Sequence, residues 1–261
     1  IYSKEINTSV KSKNYYMNSN FSYYLPSNWK LEAGLGLGYL DKKLGYYNFN
    51  IPSKETSTHA KIMVKKNANR WNWMIGGEHF LADINEQFIT ADSNPFSYGF
   101  NRSIIGLFYE GQYRIFPQLT IDLGLRYTDN LRNQRFLEPR TSIGYNPFKN
   151  HLLSLSFGKY HQEPRVDINK FQNDLLWQSA DHYILNYTYQ NKGQMLRLEG
   201  FFKNYKKLIT YNDIIPQYNS IFTNKGYGQV KGIDFFWKDS QSMPNLQYWI
   251  SYSYTDAKKL E

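Results

Sequence analysis

The strongest constraint on the fold is a one-by-one alternation of apolar and polar residues that recurs along most of the chain. Within Leu119–Thr128, apolar residues at 119, 121, 123, 125 and 127 alternate with Thr120, Asp122, Gly124, Arg126 and Thr128. Successive side chains of a β-strand point to opposite faces, so this pattern predicts a strand with one apolar and one polar face. Leu137–Pro164 holds two such segments around the turn Asn146–Asn150 and therefore predicts an antiparallel hairpin.

Repetition of this unit predicts twelve strands of about 8–12 residues, close to the length that a tilted strand needs to cross a bilayer. The first two are Asn14–Leu25 and Trp29–Leu40, and the last two are Gly226–Lys238, whose apolar phase is ambiguous, and Leu246–Thr255. Short turns alternate with longer polar segments. Four of the longer segments are predicted to be recognition loops: Asp41–Glu55, Ala82–Gly99, Tyr160–Ala180 and Asn212–Lys225.

Composition narrows the class of protein. Aromatic residues make up 18% of the chain, led by 24 Tyr, although the mean hydropathy is −0.65. Tyr favours sites with one apolar and one wet end, such as a membrane interface. No run approaches the roughly 20 apolar residues of a membrane helix, which excludes a helical membrane protein but not a β-barrel. The net charge of +9 is spread over turns, loops and polar strand faces, so no nucleic-acid partner is predicted.

The order of the connections and the position of the aromatics both favour a membrane β-barrel. Outer-membrane barrels have short turns at one rim, longer loops at the other, and an aromatic girdle at each interface. Aromatics occupy predicted strand ends at Tyr39, Trp71, Tyr113, Tyr127, Tyr145, Tyr189 and Tyr254. The predicted fold class is therefore all-β, an antiparallel meander of a transmembrane β-barrel.

The later part of the chain resembles a known family. Four segments carry the resemblance: LEPRTSIGYNP with LLSLSFGKYHQEP, DHYILNYTYQ with RLEGFFKNYKKLITY, NKGYGQVKGIDFFWKD, and YWISYSYTDAKK. They are similar to the barrel of TonB-dependent outer-membrane receptors of the Bacteroidetes type, best over Leu137–Lys259. The resemblance implies active uptake of a scarce nutrient across the outer membrane of a Gram-negative bacterium. The nutrient would be a siderophore, haem, cobalamin, glycan or peptide.

The resemblance also implies partners and a larger whole. Receptors of this family have a barrel of about 22 strands with an N-terminal plug inside it, and only about half of those strands are expected here. We therefore expect residues 1–261 to form a single unit, a partial barrel from which the plug domain is absent. Contact with the TonB complex would run through that plug, outside this chain. Outer-membrane lipid and a surface lipoprotein are the other expected partners.

Charged residues recur on the polar strand faces, where they would be lumen-facing. In a dry core they would be costly unless paired, whereas a wet or plugged lumen tolerates them. Two interpretations stay open, namely contact with a plug or passing solute, and an interior lattice of mutually paired groups, of which we prefer the second. The candidates are Glu32, Glu78, Glu110, Asp122, Arg126, Arg140, Arg197 and Glu199, with Lys61, Glu138 and Asp234 beside them.

The predicted loops supply the candidates for ligand contact. Tyr160, His161, Arg165 and Trp177 all fall in the segment Tyr160–Ala180, where an aromatic ring would stack on a sugar, a haem or a chelate, or would only order the loop. Nothing pairs a nucleophile with a base, and His161-Gln162-Glu163 lacks the spacing of a zinc-protease motif. We therefore predict no enzyme, no catalytic residue, no metal site and no cofactor.

Two other functions fit the alternation. A complete twelve-stranded passive porin or autotransporter barrel would require Asn14–Leu25 to pair with Leu246–Thr255. A soluble β-rich carbohydrate-binding protein or adhesin would require a second sheet over the apolar strand faces. The arrangement of the strands distinguishes these alternatives from the partial receptor barrel.

Overall fold

The computed structural model describes residues 8–46, 49–90, 93–169, 171–172, 174–213 and 220–260. Twelve strands make up most of this part of the chain, joined by turns, loops and a single helical turn, α1 (Val166–Asn169). The strands are β1 Thr8–Leu25, β2 Trp29–Tyr46, β3 Phe49–Asn67, β4 Trp71–Thr90, β5 Ser93–Phe116, β6 Leu119–Asp129, β7 Arg135–Tyr145, β8 His151–Gln162, β9 Gln178–Asn191, β10 Gln194–Tyr211, β11 Phe222–Asp239 and β12 Tyr248–Leu260.

All twelve strands form one sheet in chain order, and every neighbouring pair is antiparallel. This confirms the predicted meander and the predicted number of strands. In the part of the chain that the structure describes, no helix is long and apolar enough to cross a membrane.

Two of the four predicted loops are wrong, because the strands on either side continue through them. Within Asp41–Glu55, β2 runs to Tyr46 and β3 starts at Phe49; within Ala82–Gly99, β4 runs to Thr90 and β5 starts at Ser93. The backbone ladder continues past the point where hydropathy stops alternating, because polar side chains on both faces suit a strand that is wet on both sides. Residues 47–48 and 91–92 themselves lie outside the described residues.

The other two predicted loops are shorter than expected. β8 extends to Gln162 and β9 starts at Gln178, so only residues 163–177 connect them, with 170 and 173 outside the described residues. β11 starts at Phe222, inside the predicted loop Asn212–Lys225, of which 214–219 are not described. The strands therefore extend beyond their predicted ends at the rim of the sheet where the four predicted loops lie.

The sheet has two chemically distinct faces, because the register mostly aligns apolar positions with apolar or neutral ones, and polar with polar, on neighbouring strands. On β6, Leu123 and Leu125 are 56% and 44% exposed on what we call the apolar face, while Asp122 and Arg126 lie on the opposite, polar face. Leu123 stands opposite Thr141 of β7, and Asp122 stands opposite Ser142. All described strands belong to one sheet, so no second sheet covers the apolar face. A soluble sandwich would have buried it.

Register also resolves the ambiguous phase of β11. Ile233, Phe235 and Trp237 stand opposite Tyr254, Tyr252 and Ile250 of β12, which places all six on the apolar face. Phe236 lies on the polar face, where its ring stacks on that of Trp249 with centroids 6.5 Å apart.

The two edges of the sheet are not joined. β1 pairs only with β2 and β12 only with β11 among the described residues, so the meander is an open sheet. The twelve-stranded passive pore requires a continuous ladder between these edges, and the arrangement favours a partial barrel instead.

Candidate functional site

The polar faces of β3–β8 surround a cleft of about 700 Å³. Residues two positions apart on a strand point to the same face, and this places the polar side chains that line the cleft on one side of the sheet. Gly106 leaves the space that the guanidinium of Arg126 fills, since a Cβ at that position would collide with it. Of the predicted lumen-facing residues, Glu110, Asp122, Arg126 and Arg140 line the cleft.

A chain of paired groups crosses the polar face from β3 to β8. Arg126 Nη2 donates to Glu78 Oε1 over 2.6 Å, and His59 Nε2 lies 3.2 Å from the other oxygen of Glu78. Arg126 Nε lies 3.7 Å from Glu138 Oε2. The backbone N–H of His161 donates to Glu138 Oε1 over 2.6 Å, and the ring Nδ1 of His161 is 3.2 Å from that oxygen.

Glu138 is the most enclosed member of this network, at 5% exposure. A carboxylate withdrawn from water to this extent is costly unless charged or N–H groups satisfy it. The Arg126 guanidinium and the His161 backbone N–H supply those partners. The network therefore ties β6, β7 and β8 together across the polar face.

Other candidates pair within smaller groups. Glu32 accepts from Lys30 and, over 2.6 Å, from Lys65. Asp122 accepts from Gln112 Nε2 and from Ser142 Oγ, both over 2.8 Å.

Toward the last strands, Glu199 accepts from Asn186 Nδ2 over 3.2 Å and from Arg197 Nη2 over 3.3 Å. The guanidinium of Arg140 lies over the Tyr160 ring, 4.7 Å from its centroid. Among the described residues, Glu110 has no hydrogen-bond or ion-pair partner. The structure thus brings most of the candidates into pairs, and contact with a plug or solute stays a prediction.

Residues 163–177, which we call the crossing loop, are folded against the sheet. Ile168 and Leu175 of the loop pack with Ile209 of β10 and Phe222 of β11 in one buried apolar cluster, and Phe171 packs against it. The loop is therefore held by a small core of its own, and the sequence pattern did not indicate this because it has no period.

The end of the crossing loop is anchored on β7. Trp177 is 7% exposed and stacks on Phe136 with ring centroids 5.2 Å apart, and Phe136 stacks in turn on His161 at 4.2 Å. Gln134 donates to the Leu175 carbonyl over 3.1 Å and accepts from the Trp177 N–H over 2.9 Å. These two bonds from the Gln134 side chain satisfy backbone groups of the loop and fix it where it enters β9.

The start of the crossing loop is anchored on β5. Glu163 Oε2 lies 2.7 Å from Arg102 Nε, although the angle leaves that N–H without a hydrogen-bond acceptor among the described residues. Asn169 Nδ2 donates to Glu163 Oε1 over 3.2 Å. Burial raises the pKa of Glu163, and the positive charges of Arg102 and Arg132 only partly oppose that rise.

The four ligand-contact candidates fall into different environments. Tyr160 and His161 belong to strand β8, which corrects their placement in a loop, because pairing with β9 continues to Gln162. Arg165 is exposed and makes two hydrogen bonds to Asp167, over 3.0 and 2.7 Å. Trp177 is buried as described above, so its ring packs the loop. The anchors Arg102, Gln134 and Glu163 were not among the candidates, and no motif in the sequence marks them.

One of the comparisons with known proteins identifies a family. The model of the family described as TonB dependent receptor-like, beta-barrel matches residues 2–260. None of the curated proteins matches the chain.

Solved structures share the fold at low identity. The copper transporter OprC has a TM-score of 0.78 and 9% identity over 95% of this chain and 47% of its own. The ferric yersiniabactin uptake receptor FyuA from Yersinia pestis has a TM-score of 0.77 and 11% identity over 99% of this chain and 44% of its own. The RagAB peptide importer has a TM-score of 0.74 and 12% identity over 98% of this chain and 37% of its own. The chain thus spans less than half the length of these structures.

Proposed function

The chain belongs to the TonB-dependent receptor β-barrel family, and from this premise we propose that it is part of a barrel that takes up a scarce nutrient actively. Barrels of this family lie in the outer membrane of Gram-negative bacteria, and this chain forms strands of such a barrel. The observation that carries the proposal is the open sheet: an uncovered apolar face, a paired polar face, and two edges that do not meet.

Lipid cannot satisfy the free N–H and C=O groups of an edge strand, so each edge needs a partner inside a membrane. We propose that further strands of the same barrel pair with β1 and β12. The polar face would then line the lumen, and the apolar face would meet the bilayer.

The crossing loop supports a role at the outer mouth of the lumen. It lies at the rim that carries the strand extensions and the longer connections, which in outer-membrane barrels is the extracellular rim. We propose that nutrient binding involves Tyr160 and His161 beside this loop and Arg165 within it, and that Trp177 holds the loop in place. The nutrient would be a siderophore, haem, cobalamin, glycan, peptide or metal chelate, bound without covalent chemistry.

We propose two protein partners. The first is the TonB complex, which would act through a plug seated against the polar face. There Glu110, which has no partner among the described residues, lines the cleft. The second is a surface lipoprotein that would cover the extracellular rim.

The test is nutrient-limited growth of a strain that lacks this protein. We expect growth on one scarce nutrient to require both the protein and TonB, and complementation to restore it. Growth that requires the protein but not TonB, or ion conductance of the purified protein in planar bilayers, would support the passive pore and contradict active uptake.

A further inference from the structure

Four lysines lie together on the apolar-face side of β1–β3, one and two same-face rows beyond a pair of tyrosines. Tyr15 and Tyr39 stand opposite each other with ring centroids 6.1 Å apart. The next same-face row toward the extracellular rim is Lys13, Asp41 and Lys54, and the row after it holds Lys11 opposite Lys43. We call Lys11, Lys13, Lys43 and Lys54 the lysine patch, and all four are exposed.

The patch is electrostatically unbalanced. Like charges directly opposite each other on neighbouring strands are destabilising, and Lys11 and Lys43 occupy such a pair of positions. Asp41 is the one acidic residue among the five, and no ion pair joins any of them in the part of the chain that the structure describes. An external anion would remove this repulsion.

Outward lysines on other strands are arranged differently. Lys206 of β10 is 3.0 Å from Asp181, and Lys231 of β11 is 3.7 Å from Asp256. At the opposite rim, Lys66 donates to the Ser27 carbonyl and lies over the Trp29 ring, 4.9 Å from its centroid. Each of these three lysines thus has a partner, whereas the four lysines of the patch have none among the described residues.

We propose that the lysine patch binds the phosphate groups of lipid headgroups in the outer leaflet of the outer membrane. The position of the patch along the strands supports a lipid rather than a dissolved anion. The patch begins one same-face row, about 7 Å, beyond Tyr15 and Tyr39, which would lie at the membrane interface. A lipid whose acyl chains lie on the apolar face thus presents its headgroup at this level. Ammonium groups suit phosphate as compact point charges, each adding about fivefold to the affinity of a membrane surface.

This inference depends on the outer-membrane location and not on nutrient uptake, so the two can fail separately. The experiment measures binding of lipid A, phosphatase-treated lipid A and inorganic phosphate to the purified protein in detergent. It compares the native protein with Lys11→Gln/Lys43→Gln. The matched control is Lys206→Gln/Lys231→Gln, which removes two outward lysines that are already paired.

We expect lipid A to bind the native protein and the control equally, and to bind Lys11→Gln/Lys43→Gln at least tenfold more weakly. Phosphatase-treated lipid A and inorganic phosphate should bind poorly to all three. If the first double variant does not fold, Lys13→Gln/Lys54→Gln gives the same comparison. Equal lipid A binding by variant and native protein would overturn the proposal, as would equal binding of the dephosphorylated lipid or of inorganic phosphate.

Discussion

At the scale of single residues, the orientation of a side chain decides what a substitution costs. Leu123 and Asp122 are neighbours on β6, but one is exposed on the apolar face and the other accepts two hydrogen bonds on the polar face. Alternation in the sequence predicted these orientations, because a two-residue period in a strand places successive side chains on opposite faces.

Replacing Leu123 by Arg is expected to destabilise the protein by about 2–4 kcal/mol in a bilayer, because Leu123 lies midway along β6 and would face lipid near the middle of the bilayer. Denaturant unfolding of the protein in liposomes measures the effect. Asp122→Arg is the matched control, and we expect it to cost less because its side chain meets water and polar groups. Equal costs at positions 122 and 123 would contradict the assignment of the two faces.

Glu138→Gln is expected to lower the free energy of unfolding by about 1–3 kcal/mol, and with it the melting temperature. It weakens the charge-assisted bonds of a buried carboxylate to Arg126 and His161. Glu110→Gln provides the control, since Glu110 is exposed and lacks a described partner. The melting temperatures of both variants in detergent make the comparison. A Glu138 variant as stable as the Glu110 variant would show that the network adds no stability.

At the scale of elements, the crossing loop shows where sequence reasoning stops. The strand segments with one apolar and one polar face were predictable, because the contrast between the faces imposes a two-residue period on the sequence. The strand extensions beyond them were not, because a strand that is wet on both faces has no such period. Packing of Ile168 and Leu175 on Ile209 and Phe222 depends on contacts far apart in the chain, which no local pattern records.

Glu163 should make the packing of the crossing loop depend on pH. Burial raises its pKa in the folded protein above the unfolded value, so folding of the loop favours the protonated acid. That contribution is fully present below the unfolded pKa and is lost as the pH rises through the higher folded pKa. Hydrogen exchange at Ile168 is therefore expected to be slower at pH 4 than at pH 8, after correction for the intrinsic exchange rate.

Glu163→Gln should remove this pH dependence while keeping the loop packed. Asp167→Asn is the control, because Asp167 is exposed and pairs only locally with Arg165. Stronger protection at high pH in the native protein would mean that the ion pair with Arg102 outweighs burial.

At the scale of the whole molecule, the strands form an open sheet, which we propose to be part of a larger barrel. The twelve-strand order and the antiparallel register followed from the alternation and the connections. The open edges were expected only from the family resemblance, because the alternation does not indicate which partner an edge strand takes. Disulfide trapping tests it cleanly, because the 261 residues contain no cysteine.

The most direct measurement places single cysteines on facing strands of the protein in its native membrane and scores cross-links after mild oxidation. Leu123→Cys/Thr141→Cys is the positive control, because these residues are register partners on β6 and β7. A series that pairs Phe21→Cys of β1 with cysteines at Ile250, Tyr252 or Tyr254 of β12 then tests closure. The open sheet predicts a cross-link in the control and none within one molecule across β1 and β12. An efficient intramolecular cross-link at any of the three β12 positions would mean that the twelve strands close on themselves, and would contradict it.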